Sequence, residues 1–303
     1  MKKSKRISVL TSLYHSDNFL EDYFHALDKI EDKEQIEVLL LHNAPQEKEL
    51  AIITEYLPKF NFVRHIIIPE RETLYRTWNR GIQLSEGEYI TVWNVDDVRF
   101  PDSIIQQAEA LDSNPEAAIA YGDIWLSSQY GVCGTKKSNS PVFNPATRKK
   151  FLSEYHISCF QMWRRSIHPV VGYYDEQFEC IADFDFQIKT ALHFPFVKTE
   201  KPLGIYLEHQ PHKLSANRLQ PIERNIVCLR YANYWCMNIF LLPETKKKYQ
   251  RNQMLIFDEW KDFTEKAPFG WIYRFRGIIR ACFDSSYWLC KQTVKKIIFA
   301  YKY

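Results

Sequence analysis

Glycine is scarce in this sequence, 9 residues of 303, and neither G-x-G-x-x-G nor G-x-x-x-x-G-K-S/T occurs. A bound phosphate therefore has no glycine-rich loop to cradle it and must be neutralised in another way. Cysteine is sparse and scattered: Cys133, Cys159, Cys180, Cys228, Cys236, Cys282 and Cys290 form an odd set without a C-x-x-C pair. That argues against a disulfide framework or a zinc knuckle and for reduced thiols. Long apolar runs are missing too. The stretch 7–13 is too short for the core of a secretory signal. The best candidate for a span, 231–243, is broken by Asn233 and Asn238 and falls short of the roughly 20 apolar residues a membrane crossing needs. A cytoplasmic chain is expected, with at most a peripheral contact at the inner face of a membrane.

What is present is an apolar fraction of 46% with 25% charged residues, enough to build a sizeable core and to exclude a disordered chain. The net charge of +3 hides an asymmetry. Residues 211–303 hold 17 Lys and Arg against 7 Asp and Glu, whereas residues 1–210 hold 23 against 30. An acidic body carries a basic C-terminal third, which implies an added surface for an anionic partner. A nucleic acid is not that partner, because no recognised module occurs and the acidic body would repel a polyanion.

Apolar runs at 7–13, 36–41, 61–68, 88–93 and 117–121 read as buried strands. Helical spacing fills the gaps at about 17–30, 46–57, 73–84 and 101–111, the last opened by Pro101. Alternating strands and helices with doubly buried strands predict an α/β fold with a mostly parallel sheet. Ligands of such sheets bind at the carboxyl ends of the strands. The stretches to watch are thus 11–15, 42–45, 69–73 and 94–99. A hairpin or loop is expected at 124–145, a strand at 158–164 and a helix near 184–192. Beyond Pro221 the pattern reads as helical to the end.

The strongest local feature is Trp93-Asn94-Val95-Asp96-Asp97, directly after a buried strand. Two adjacent carboxylates there suit a hard divalent cation that also binds a diphosphate. Taken alone, the pair is a weak signal, and a cap for the helix that begins near Pro101 is the better reading.

In context these residues resemble family 2 glycosyltransferases of the GT-A fold. The resemblance rests on Ser8-Val9-Leu10-Thr11, Asn79-Arg80-Gly81-Ile82, Glu86-Gly87-Glu88-Tyr89-Ile90, Asn94-Val95-Asp96-Asp97 with Phe100-Pro101-Asp102, Met162-Trp163-Arg164-Arg165, Val171-Gly172-Tyr173-Tyr174-Asp175-Glu176 and Ala182-Asp183-Phe184-Asp185, in order over about residues 6–215. It implies a GT-A domain at 1–215, with a nucleotide-sugar half at 1–123 and an acceptor and catalytic-base half at 124–215, followed by a helical extension at 216–303. It also implies a nucleotide-sugar donor (a UDP-sugar favoured), a divalent metal (Mn2+ or Mg2+), a glycan or lipid-linked acceptor in surface polysaccharide synthesis, and inversion at the anomeric carbon.

Carried over residue by residue, the resemblance makes Asp96 the metal ligand of a D-x-D-like turn in which Asn94 replaces the first Asp. Asp183 becomes the base, preceded by Ala182 rather than Glu; its plainer reading is a helix N-cap. Asn43 and Thr11 are the expected nucleobase or ribose contacts, although 42–45 reads His-Asn-Ala-Pro where the family has Asp-Asp-Gly-Ser, and Thr11 reads equally well as a buried strand residue. Arg76, on the helix before the metal strand, supports the donor site. His209 is the expected further metal ligand, and Lys213 a phosphate contact. The departures at 43, 94 and 182 keep open an inactive binding protein on the same fold. Residues 267–303 combine 7 Lys and Arg with ten aromatics and one acid. They read as a basic amphipathic helix for an anionic membrane surface, or as a cap on the body or on another subunit.

Overall fold

A computed structural model describes residues 6–208 and 217–300. The first apolar run is β1 (Ile7–Leu13), in which only Ser12 is partly exposed. Next, α1 (Leu20–Asp28) turns Leu20, Tyr23, Phe24 and Leu27 into the core, the spacing of one helix face. β2 (Ile36–Asn43) is buried throughout. α2 (Glu47–Tyr56), β3 (Val63–Ile68), α3 (Leu74–Leu84), β4 (Tyr89–Val92), β5 (Val98–Arg99), α4 (Ser103–Asp112) and β6 (Ile119–Tyr121) follow. The hairpin expected at 124–145 is β7 (Trp125–Ser127) paired antiparallel with β8 (Lys136–Lys137). The chain continues through α5 (Arg148–Phe151), β9 (Met162–Arg164), α6 (His168–Val171), α7 (Ala182–His193), β10 (Phe196–Lys198) and β11 (Gly204–Leu207). β9 is shorter than the strand expected at 158–164, since Ser158 takes a left-handed φ of 61° that breaks an extended run.

The described residues form two compact units, one of 6–174 with 186–208, the other of 175–185 with 217–300. The first holds a seven-stranded sheet of order β10-β6-β9-β4-β1-β2-β3, parallel except for β9. Strand order reverses at β1: β2 and β3 build outward on one side, and β4 is added on the other. The crevice at such a reversal is where α/β sheets bind ligands. α3 lies flush on this part of the sheet because Gly81 has no side chain; a Cβ there would come within 2.7 Å of Leu41 Cδ1 and 2.9 Å of Leu10 Cδ2. A smaller sheet, β5-β11-β7-β8, adjoins the end of β4 within this unit.

In the second unit, α8 (Gln220–Tyr231) and α9 (Leu242–Lys248) precede a hairpin of β12 (Gln253–Ile256) and β13 (Glu259–Asp262), and α10 (Trp271–Ala300) follows. The hairpin corrects the helical reading of everything beyond Pro221. Its two-residue turn puts both Phe257 (φ 51°) and Asp258 (φ 66°) in the left-handed region. That is the geometry of a primed turn, but without the Asn-Gly or Asp-Gly pair that announces one.

Candidate active site

The turn after β4 is built by backbone and indole. Trp93 is fully buried; its N–H donates to Leu10 C=O at 3.0 Å, and its Nε1–H to Asp97 C=O at 3.0 Å. Asp97 N–H closes the turn onto Asn94 C=O at 3.1 Å. The Asp97 side chain is buried and accepts the Leu207 N–H at 3.1 Å, which ties the turn to β11. Asn94 and Asp96, in the same turn, are half-buried. Tyr130, from the β7–β8 loop, donates to Val95 C=O at 3.3 Å. Burial pushes its phenol above the ordinary value, and the negative charges of Asp22, Asp97 and Asp96 add to the shift.

Beneath the turn, Arg99 is fully buried and donates to Val92 C=O, Phe160 C=O, Thr91 Oγ1 and Gln107 Oε1. Burial pulls it down to about 9, while Cys159, Tyr23 and Asp97 pull the other way. Its hydrogen bonds brace the carboxyl end of β4 against α4 and the residues before β9.

A second cluster gathers at the ends of β1, β2 and β3. Asn43 is buried; its Nδ2 donates to Thr77 Oγ1 at 2.9 Å and its Oδ1 accepts the Glu72 N–H at 3.0 Å. It staples β2 to the loop 69–73 and to α3. Glu72 in turn receives Arg76 Nε at 3.3 Å and Arg80 Nε at 3.2 Å. Around this knot lies a cavity of about 570 Å³ lined by residues of that loop, among them Arg71 and Thr73, and by Arg76 and Arg80. Arg71 also lies over the half-exposed ring of Tyr14, 4.5 Å from its centre. Next to Tyr14, His15 adopts a left-handed φ of 52° and its Nδ1 is 3.0 Å from Gln46 Nε2. Below, buried Glu49 accepts the N–H groups of Ser16 and Gln46 and meets His42 Nε2 at 3.2 Å.

In the second unit, Asp183 stands half-buried in the first turn of α7, and its Oδ1 accepts the Phe184 N–H at 2.8 Å. Two side chains of α8 hold the segment leading to it. Glu223 accepts the N–H groups of Glu179 and Cys180, both at 2.8 Å, and the Tyr249 hydroxyl at 2.9 Å. Arg230 bridges Asp175 at 2.7 Å and Asp185 at 3.3 Å. Burial opposes the charge on Arg230, but Asp185 and Asp175 outweigh it and hold the guanidinium above its ordinary value. Asp185 is thus occupied by Arg230 and by Tyr231, whose hydroxyl donates to it at 3.0 Å.

Residues 8–170, more than half of the chain, match the pattern of Glycosyl transferase family 2. The chain belongs to that family. This glycosyltransferase is 22% identical over 188 residues to an uncharacterized glycosyltransferase of Methanocaldococcus jannaschii, a match spanning 60% of the chain and 63% of that relative. Its fold is that of S. aureus TarS, solved with UDP-GlcNAc, at a TM-score of 0.63 and 16% identity over 78% of this chain and 71% of that one. A mannosyltransferase from Pyrobaculum calidifontis, solved with GDP-Man and Mn2+, superposes at a TM-score of 0.53 and 12% identity, covering 81% of this chain and 76% of that one. The expected GT-A α/β fold is therefore present.

The expected site residues of this glycosyltransferase fall into groups. Asn94 and Asp96 share the turn after β4, and Arg76 and Asn43 share the Glu72 knot. Asp183 lies in the second unit, while His209 and Lys213 lie outside the described residues. Two of the expected contacts have partners within the fold. Thr11 is fully buried, with its hydroxyl 2.7 Å from that of Tyr23. Asn43 uses its amide to fix the loop 69–73 that lines the cavity. Among the described residues no group of three His, Cys, Asp or Glu is arranged to hold a metal. Sequence reasoning missed Tyr130, Glu223 and Arg230, since each acts on residues far away in the chain, and it passed over Glu72, which lies in the stretch 69–73 and holds Arg76 and Arg80 close by. Arg71 and Tyr14 did lie at strand ends and were within reach of that rule.

Proposed function

We propose that this glycosyltransferase moves a sugar from a nucleoside-diphosphate donor, a UDP-sugar, to a hydroxyl of a saccharide or lipid-linked acceptor in surface polysaccharide synthesis, with inversion at the anomeric carbon. The observation that carries this reading is the turn 94–97 after β4, at the reversal of strand order, with Asp97 bound to the Leu207 N–H and Asp96 half-buried next to it. One carboxylate at such a place fits a Mn2+ or Mg2+ ion that takes its remaining ligands from phosphate oxygens, water and a residue such as His209. When bound, that ion would offset the charge of the departing diphosphate. Asn94 has both amide donors and an acceptor for the sugar or ribose. Arg76 and Lys213 supply positive charge for the phosphates. Asp183 takes the acceptor's proton on the far side of the sugar.

The donor class is supported by TarS, solved with UDP-GlcNAc, and the metal by the mannosyltransferase solved with Mn2+. A thermal-shift screen of nucleoside diphosphates and their sugars, with Mn2+, Mg2+ or chelator, tests the reading. A ligand at 100 times its Kd raises stability by about 2.7 kcal/mol. Stabilisation by UDP or a UDP-sugar that chelator abolishes is expected. Absence of a shift with every nucleotide would overturn the reading in favour of an inactive protein on this fold.

A further inference from the structure

The helix α10 is packed with its small residues inward and its large ones outward. Gly277 and Ala281 are buried, as is Ser285, whose hydroxyl accepts the Ile239 N–H at 3.0 Å. Gly277 lies against Trp235, where a Cβ would come within 3.0 Å of the indole. The opposite side carries Trp271, Phe275, Ile279, Phe283 and Tyr287 at every fourth position, with Trp271, Phe283 and Tyr287 more than 70% exposed. Such a stripe, some 24 Å long at about 1.5 Å per residue, exceeds the scattered apolar exposure of an ordinary surface.

We propose that this stripe docks α10 onto an anionic phospholipid surface, lying in the plane of the interface. Three observations select that occupant. Arg276 and Arg280 are exposed on the same helix; Arg280 pairs with Asp284 at 2.7 Å, and with three arginines and one acid the stretch between Trp271 and Leu289 keeps a net charge of +2. That basic helix belongs to a chain segment of strongly positive charge, while residues 1–210 are net acidic; an anionic bilayer would attract the former and repel the latter. Trp and Tyr, with an apolar body and a polar atom, suit the boundary between headgroups and acyl chains. Finally, the helix buries Gly277, Ala281 and Ser285 on one side and exposes the stripe on the other, the arrangement of a helix that lies in an interface.

Flotation of the full-length protein tests this, using vesicles of phosphatidylcholine alone and of phosphatidylcholine with phosphatidylglycerol. The protein should float with the anionic vesicles only, and added salt should release it. The triple variant Phe275→Ser, Phe283→Ser, Tyr287→Ser should lose at least about tenfold in bound fraction with its melting temperature unchanged, since these side chains are exposed. Reversal of charge by Arg276→Glu and Arg280→Glu should weaken binding about tenfold or more. Failure of the intact protein to float with anionic vesicles would overturn the proposal. So would equal flotation of the triple variant, or a dimer in sedimentation that the triple variant dissociates.

Discussion

Arg230 and Asp175 form an ion pair at 2.7 Å with both side chains fully buried. The same guanidinium reaches Asp185 and the carbonyls of Gln250, Arg251 and Gln253. Charges this deep are tolerated only when their hydrogen bonds are filled. Arg230→Met should leave two buried carboxylates without their cation and cost about 3–5 kcal/mol, read from urea unfolding. A loss below about 1 kcal/mol would mean that water already reaches the pair.

Asp183→Asn preserves the shape of the first turn of α7 but removes the proton acceptor. Transfer should fall by about 10²–10⁴-fold, while the Kd for donor, measured calorimetrically, stays within about threefold. Full turnover by this variant would assign the base elsewhere.

Asp96→Asn should abolish the part of donor binding that depends on Mn2+ and leave the metal-independent part. A titration of UDP with and without chelator separates the two. Asp97 anchors the turn to Leu207, and that anchor is reported by the melting temperature. Asp97→Asn should lower it by a few degrees, the equivalent of about 1 kcal/mol.

His168 gives a pH dependence with a definite sign. Its Nε2 accepts the Trp163 indole N–H at 3.0 Å, and its Nδ1 lies 2.8 Å from Gly172 C=O, an arrangement that requires the neutral ring. Burial pulls it down to about 4, from 6.5. The folded value lies below the unfolded one, so its contribution is complete above about pH 6.5 and is lost as pH falls through about 4. The span is worth roughly 3 kcal/mol. His168→Gln should flatten the change in melting temperature between pH 7 and pH 5 (about one unfolded-state titration,); an unchanged slope would place the acid sensitivity elsewhere.

Asn43→Ala should loosen the loop 69–73, because the Asn43 amide joins the Glu72 N–H to the Thr77 hydroxyl. Donor KM should rise about tenfold with kcat nearly constant, the pattern of a lost positioning contact. A fall in kcat at constant KM would instead give Asn43 a part in the chemical step.

Much of the first unit was legible before any coordinates. Strands buried on both faces are continuous apolar runs, and the helices between them carry an apolar face every three to four residues; both are local patterns. The turn 94–97 was legible for a related reason, since charged residues directly after a buried strand need a specific purpose. The hairpin at 253–262 was hidden because its turn conformation lacks its usual residues. The hydrogen-bond partners of Thr11 and Asn43 were hidden because they lie on the helices α1 and α3: Tyr23 and Thr77, at separations no local pattern spans.

By itself, then, the sequence determined the alternation of strands and helices, the acidic body with its basic extension, and the ordered motifs of the family, all of them properties of neighbouring residues. Packing in three dimensions set which carboxylates serve as anchors: Asp97 for Leu207, and Asp175 and Asp185 for Arg230. It also decided that α8 holds the segment before Asp183, and that α10 turns its aromatic side outward. Those outcomes depend on burial and hydrogen bonding between residues distant in the chain, and a buried polar group is defined by the partners that surround it, not by its neighbours in sequence.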